Sequence, residues 1–203
     1  MKLIKAFFVI GALLFLQASV AENLDGLLNH IKTFSANFTQ RLIDDNDELL
    51  QTTVGTVKIE KPDRFRWDIS KPSKQVILSD GKYLWIYNVN LEQVTKDNLH
   101  KAIKGTPAEL ISGSVKYLYD NFTVKKESES VYILTAKDKE SIYQQLHLIF
   151  QNKNLTSMVL KDSLGQTIRL TFSNITLNQS LPASIFKMRY PKDSDLIDNT
   201  VSS

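Results

Sequence analysis

Three histidines, His30, His100 and His147, are the only imidazoles in the 203-residue chain. None lies two or four positions from another histidine or from a paired carboxylate, the spacings that a metal cage or a base–orienter pair needs. His147 falls on the polar parity of its segment. The chain has no cysteine, which removes thiol nucleophiles, thiolate metal sites and disulfides together. Its seven glycines form no phosphate-cradling loop. The residues therefore predict neither a catalytic machine nor a cofactor site. The unusual features are a cation and a group of aromatics. Lys61 shares the parity of Val57 and Ile59 before Pro62, and that of Phe65 and Trp67 after it. A cation on the apolar side of a sheet must find acceptors. Helix C-terminal carbonyls are suitable ones. Alternatively, Pro62 twists the chain and lets Lys61 reach water. Phe65, Trp67, Trp85 and Tyr87 lie on neighbouring segments and form either ordinary core or the wall of an apolar cavity.

The elements that position these residues follow from periodicity. Asn23 caps a helix whose Leu24, Leu27, Leu28 and Ile31 share one face, running to about Lys32. From Phe34 the period becomes two: Phe34, Ala36, Phe38, Gln40 and Leu42 alternate with polar residues. The acidic turn at Asp44-Asp45-Asn46-Asp47 leads to a second strand, broken by Pro62. Ser79-Asp80-Gly81 reads as a hairpin turn. The run after it, Tyr83-Leu84-Trp85-Ile86-Tyr87, is apolar on both faces and must be covered on both. Residues 97 to 119 break the alternation and suit short helices, with Thr106-Pro107 as a start and Gly113 as a stop. Strands resume at Phe122–Lys126, Val131–Ala136, Gln144–Phe150, Leu155–Leu160 and Gln166–Leu177. A parity change after Ser173 predicts a bulge. A last strand is predicted near Phe186–Tyr190. The sum is a mainly β fold with α elements (α+β). A curved antiparallel sheet of about 11 strands carries helices on its apolar side.

The first residues read as an export signal. Lys2 and Lys5 precede the apolar run Ala6–Leu16, which is too short to span a bilayer, and Ser19-Val20-Ala21 offers a cleavage site after Ala21. The expected organisation is a signal peptide over 1–21 and one domain over 22–203. Two of the 25 basic residues lie in the leader, so 23 remain against 22 acidic ones. That near-neutral balance argues against nucleic acid as a partner. No cysteine follows the cut to carry a lipid anchor.

Several segments together carry a resemblance. They are Phe38-Thr39-Gln40, Gly55, Lys61-Pro62-Asp63-Arg64-Phe65-Arg66-Trp67, and Ser79-Asp80-Gly81-Lys82-Tyr83-Leu84-Trp85-Ile86-Tyr87. Gln93-Val94-Thr95, Thr106-Pro107-Ala108-Glu109-Leu110 and Asp162-Ser163-Leu164-Gly165-Gln166 complete the set. In order and spacing the chain resembles the outer-membrane lipoprotein carrier protein family, LolA. The resemblance implies an unclosed half-barrel around a hydrophobic cavity, with helices as a lid over Thr106–Ser112. It implies a monomeric periplasmic carrier that hydrolyses nothing and needs no cofactor. Such a carrier takes acylated lipoproteins from an inner-membrane ABC-type transporter to an outer-membrane acceptor. The acyl-chain cavity is expected to involve Phe38, Val57, Ile59, Phe65, Trp67, Trp85, Leu110 and Ile111. The family's basic latch residue corresponds to Lys61, bonding toward Leu28, Ala108 and Ile111. Phe65 corresponds to a residue at the cavity mouth that contacts the transporter. A related reading is a lipid- or lipoprotein-sensing module of the same shape.

Overall fold

The computed structural model describes residues 23–103, 112–113 and 115–200. The short helix α1, Leu24–Asn29, is capped by Asn23, whose Oδ1 accepts the Gly26 N–H at 3.0 Å. It stops before the predicted Lys32 because long-range partners take over the backbone. The Lys32 N–H donates to Asn178 Oδ1 at 2.8 Å, and its carbonyl accepts the Lys61 N–H at 2.9 Å. Leu24, Leu27 and Leu28 bury one face of α1 in the main core.

Strands β1 (Thr33–Ile43), β2 (Leu49–Glu60), β3 (Arg64–Lys71), β4 (Gln75–Asp80), β5 (Tyr83–Asn88) and β6 (Gln93–Asn98) follow as an antiparallel meander. Helices α2 (Leu99–Ala102) and α3 (Val115–Asn121) come next. The predicted helix start at Thr106-Pro107 lies outside the described residues. Strands β7 (Phe122–Lys126), β8 (Val131–Ala136), β9 (Tyr143–Gln151), β10 (Asn154–Asp162) and β11 (Thr167–Leu177) return, and β11 pairs with β1. The last strand, β12 (Asp195–Asp198), runs parallel to β6. One sheet results, in the order β12-β6-β5-β4-β3-β2-β1-β11-β10-β9-β8-β7. Its ends, β12 and β7, do not pair, so the half-barrel is unclosed as the resemblance implies, with twelve strands where about 11 are expected.

The predicted bulge is present: Ser35 faces Thr176 and Asn37 faces Ser173, so Asn174 and Ile175 stand together opposite Ala36. Asn174 takes up the extra residue at φ 52°. The strand predicted near Phe186–Tyr190 is absent. Ala183–Phe186 forms a 3₁₀ turn instead, and Phe186 is buried against β3 and β4. There the Arg66 Nη1 donates to the Ile185 carbonyl at 3.3 Å, and the Arg64 guanidinium lies 5.5 Å from the Phe186 ring centre. These contacts hold the segment on the outer face rather than at a sheet edge.

The sheet thus has two unequal cores. Phe34, Ala36, Phe38, Val57, Ile59, Phe65 and Trp67 face inward with α1. Leu78, Tyr87 and Val94 are buried on the opposite face, and Trp85 and Tyr87 each lie 6.5 Å from the Tyr190 ring. This second cover explains why β5 is apolar on both sides.

Candidate functional site

The concave face holds a cavity of about 460 Å³. Strand alternation builds its wall. Phe65, Trp67 and Ile69 project from β3 at every second position, and Phe38 joins them from β1. The register carries the wall onward: Trp67 faces Ile77 on β4, which faces Ile86 on β5. Ala102 and Ile103, at the end of α2, close one side.

A glycine permits this packing. A Cβ on Gly55 would lie 2.1 Å from the Asp68 carbonyl oxygen and 2.9 Å from Phe38 Cε1. Without a side chain there, the Phe38 ring settles over the strand and meets Trp67 edge to face, with centroids 4.8 Å apart.

Next to the wall, the turn between β2 and β3 is tied to the helical side. The Lys61 Nζ donates to the Leu28 carbonyl at 3.2 Å, at the C-terminal end of α1, where the same carbonyl also accepts the Ile31 N–H at 3.2 Å. Burial lowers the Lys61 pKa to about 8, because the charged ammonium is poorly solvated there. The Asp63 N–H donates to the Ser112 carbonyl at 3.3 Å. The Ser79 hydroxyl, fully buried, donates to the Asp63 carbonyl at 2.5 Å and accepts the Gly81 N–H at 3.1 Å. One short turn is therefore bonded to α1, to Ser112 and to the β4–β5 hairpin.

Of the sequence-derived cavity residues, Phe38, Phe65 and Trp67 line the space. Val57 and Ile59 share that face but are buried in the core away from the cavity wall. Trp85 has the opposite orientation. It pairs with Leu78 on the outer face, its indole N–H donates to Asp80 Oδ2 at 3.1 Å, and the cavity receives Leu84 and Ile86 instead. The reason is register: Trp67 aligns with Ile86, not with Trp85. Phe65 is fully enclosed in this conformation, so a partner reaches it only after the covering residues move. Leu110, Ile111 and Ala108 lie outside the described residues. The Leu28 carbonyl, on α1, accepts the Lys61 ammonium.

Sequence reasoning missed Ile69, Leu84, Ile86 and a set of polar lining residues, Gln40, Gln51, Thr53 and Gln75. Ile69 continues the Phe65–Trp67 alternation and was findable. The polar set was not, because Gln40 in an apolar row signals no chemistry until its neighbours are known. His147 pairs with Gln145 at 3.1 Å, and no group of three or more potential metal ligands occurs among the described residues.

Comparison with known proteins follows the same line. A crystal structure of a conserved protein from Thermus thermophilus matches with a TM-score of 0.56 at 15% identity, covering 85% of this chain and 97% of that one. A LolA superfamily protein from Nitrosomonas europaea matches with a TM-score of 0.53 at 17% identity, covering 83% and 97%. These likenesses establish the fold. Sequence relatives go further. The outer-membrane lipoprotein carrier protein of Hahella chejuensis is 36% identical over 202 residues, 97% of each chain. That of Pseudomonas aeruginosa is 33% identical over 208 residues, 97% of this chain and 99% of its own. The family model described as outer membrane lipoprotein carrier protein LolA matches residues 29–189. Matched across most of its length and related to full-length carriers at more than 30% identity, this chain belongs to the LolA family.

Proposed function

We propose that this protein is a periplasmic carrier that shelters the acyl chains of lipoproteins between two membranes. The observation that carries the reading is the apolar cavity on the concave face, bounded by Phe38, Trp67, Ile77 and Ile86 and flanked by a breakable tie at Lys61. Relatives named outer-membrane lipoprotein carrier proteins support it.

The energetics fit a carrier. Three acyl chains bring roughly 45 methylenes, each worth about 0.8 kcal/mol on leaving water, so free cargo would not cross an aqueous space unaided. The cavity of about 460 Å³ offers apolar space for acyl chain to enter, and loading of three chains moves α1 and the covering residues away from the sheet. The Lys61–Leu28 bond is one that such a movement breaks. Cargo must also leave, so partial burial serves transfer better than maximal tightness.

In this reading residues 1–21 are a signal peptide removed after Ala21, and residues 22–203 are a single carrier domain acting as a monomer. Cargo arrives from an inner-membrane ATP-driven transporter and departs to an outer-membrane acceptor. The carrier itself catalyses no reaction. The test is native mass spectrometry of protein purified from the periplasm. Bound acylated lipoprotein supports the carrier. Consistently empty protein, with no uptake of lipoprotein presented in detergent, would overturn it in favour of a sensor.

A further inference from the structure

The inner face of β1 is apolar at Phe34, Ala36, Phe38 and Leu42, but not at Gln40. Gln40 faces Thr53 on β2 and Leu170 on β11, and the same row continues through Met158 and Leu148. On one side lies the Phe38–Trp67 contact. On the other, Leu42 faces Ile168, which faces the buried Leu160. Gln40 and Thr53 therefore form a polar stripe between the Phe38 layer and a half-buried outer layer of Leu42 and Ile168, which the exposed Gln51 shares.

The stripe has unused hydrogen-bonding capacity. Among the described residues the Gln40 amide makes no hydrogen bond. Thr53, only 6% exposed, accepts from the Gln51 amide at 3.0 Å, and its own hydroxyl proton has no acceptor there. Gln40 is half-buried and its amide is still reached by water, so a ligand carbonyl would exchange with water there. Departures from the hydrophobic pattern gather where ligands bind. None of the described residues lining the cavity is charged. Neutral amide and hydroxyl donors suit neutral carbonyl oxygens, whereas a phosphate would call for cationic groups.

We propose that Gln40 and Thr53 hydrogen-bond the ester carbonyls that join acyl chains to the glyceryl group of the cargo, setting how deep the chains enter. This rests on the carrier reading. The stripe selects for ester-linked acyl chains over equally greasy chains that lack a carbonyl.

Two synthetic lipopeptides test it, one bearing dipalmitoyl-S-glyceryl-cysteine and one its dihexadecyl ether analogue of equal chain length. Each displaces a fluorescent fatty acid from the mature protein. The wild type should bind the ester about 3–10-fold more tightly, the range expected for one or two neutral hydrogen bonds. Gln40→Met keeps side-chain volume and should abolish that preference while holding affinity for the ether. Thr53→Val should reduce the preference with the fold intact by circular dichroism. Equal binding of ester and ether by the wild type, or a preference kept by both variants, would overturn the stripe's role and leave the carrier reading standing. Failure of the wild type to bind either lipopeptide would overturn the carrier reading itself.

Discussion

The Lys61 ammonium reaches across the β2–β3 turn to the Leu28 carbonyl at 3.2 Å, joining the sheet to α1. With a pKa of about 8 in the fold against 10.5 ordinarily, the unfolded chain holds the extra proton between those values. Stability therefore rises with pH through that window and is reduced, without further change on this account, below pH 8. Lys61→Met, relieved of the buried charge, should be at least as stable as wild type at pH 7. Its advantage should shrink between about pH 8 and 10.5. Urea denaturation of both proteins across pH 7 to 10.5 measures the gap; a constant gap would contradict a depressed Lys61. In the same variant a bound fluorescent fatty acid should exchange several-fold faster, because the tie is gone. Stopped-flow exchange at an unchanged rate would remove the latch role.

Gly55→Ala should be destabilising by about 2–3 kcal/mol, the range for overpacking a fitted interior. The new methyl would meet the Asp68 carbonyl and the Phe38 ring. The backbone cannot yield without disturbing the β2–β3 pairing. Chemical denaturation gives the size. A loss below 0.5 kcal/mol would show that the backbone at Asp68 and the Phe38 ring both give way freely.

The two tryptophans lie on opposite faces of the sheet and serve as separate reporters. Trp67 lines the cavity, whereas Trp85 rests near Tyr190 on the outer face. Acyl ligand should change the fluorescence of wild type and of Trp85→Phe alike. Trp67→Phe should lose most of that response. A response that followed Trp85 instead would assign the ligand to the outer face.

Asp198 on β12 pairs with Lys96 on β6 at 3.0 Å. The Thr200 hydroxyl and N–H, with Lys96 beside them, hold its carboxyl at about 2 instead of 3.8. This stabilisation is present above about pH 4 and disappears as pH falls through 2. Asp198→Asn should therefore melt lower than wild type at pH 6, and the difference should close toward pH 2. Calorimetry at pH 6, 4, 3 and 2 follows it. A difference that persisted at pH 2 would place the effect elsewhere.

Read alone, the amino-acid order determined which residues share a face. Alternation marks β7 and β8 to the residue, puts Lys61 on the apolar side and locates the bulge beyond Ser173. Each of these is a local consequence of a two-residue period. Tertiary structure alone decided which face points inward where both are greasy. Leu84 and Ile86 line the cavity and Trp85 does not, because β4 sets the register of β5 and the segment after β11 covers the outer side. It also decided the acceptor for Lys61, 33 positions away, and the apolar layers on either side of Gln40. It turned the expected strand near Phe186 into a turn bound to β3 and β4. Periodicity records the direction of a side chain relative to its own strand. Curvature and register, which bring distant strands together, are set by packing across the whole sheet.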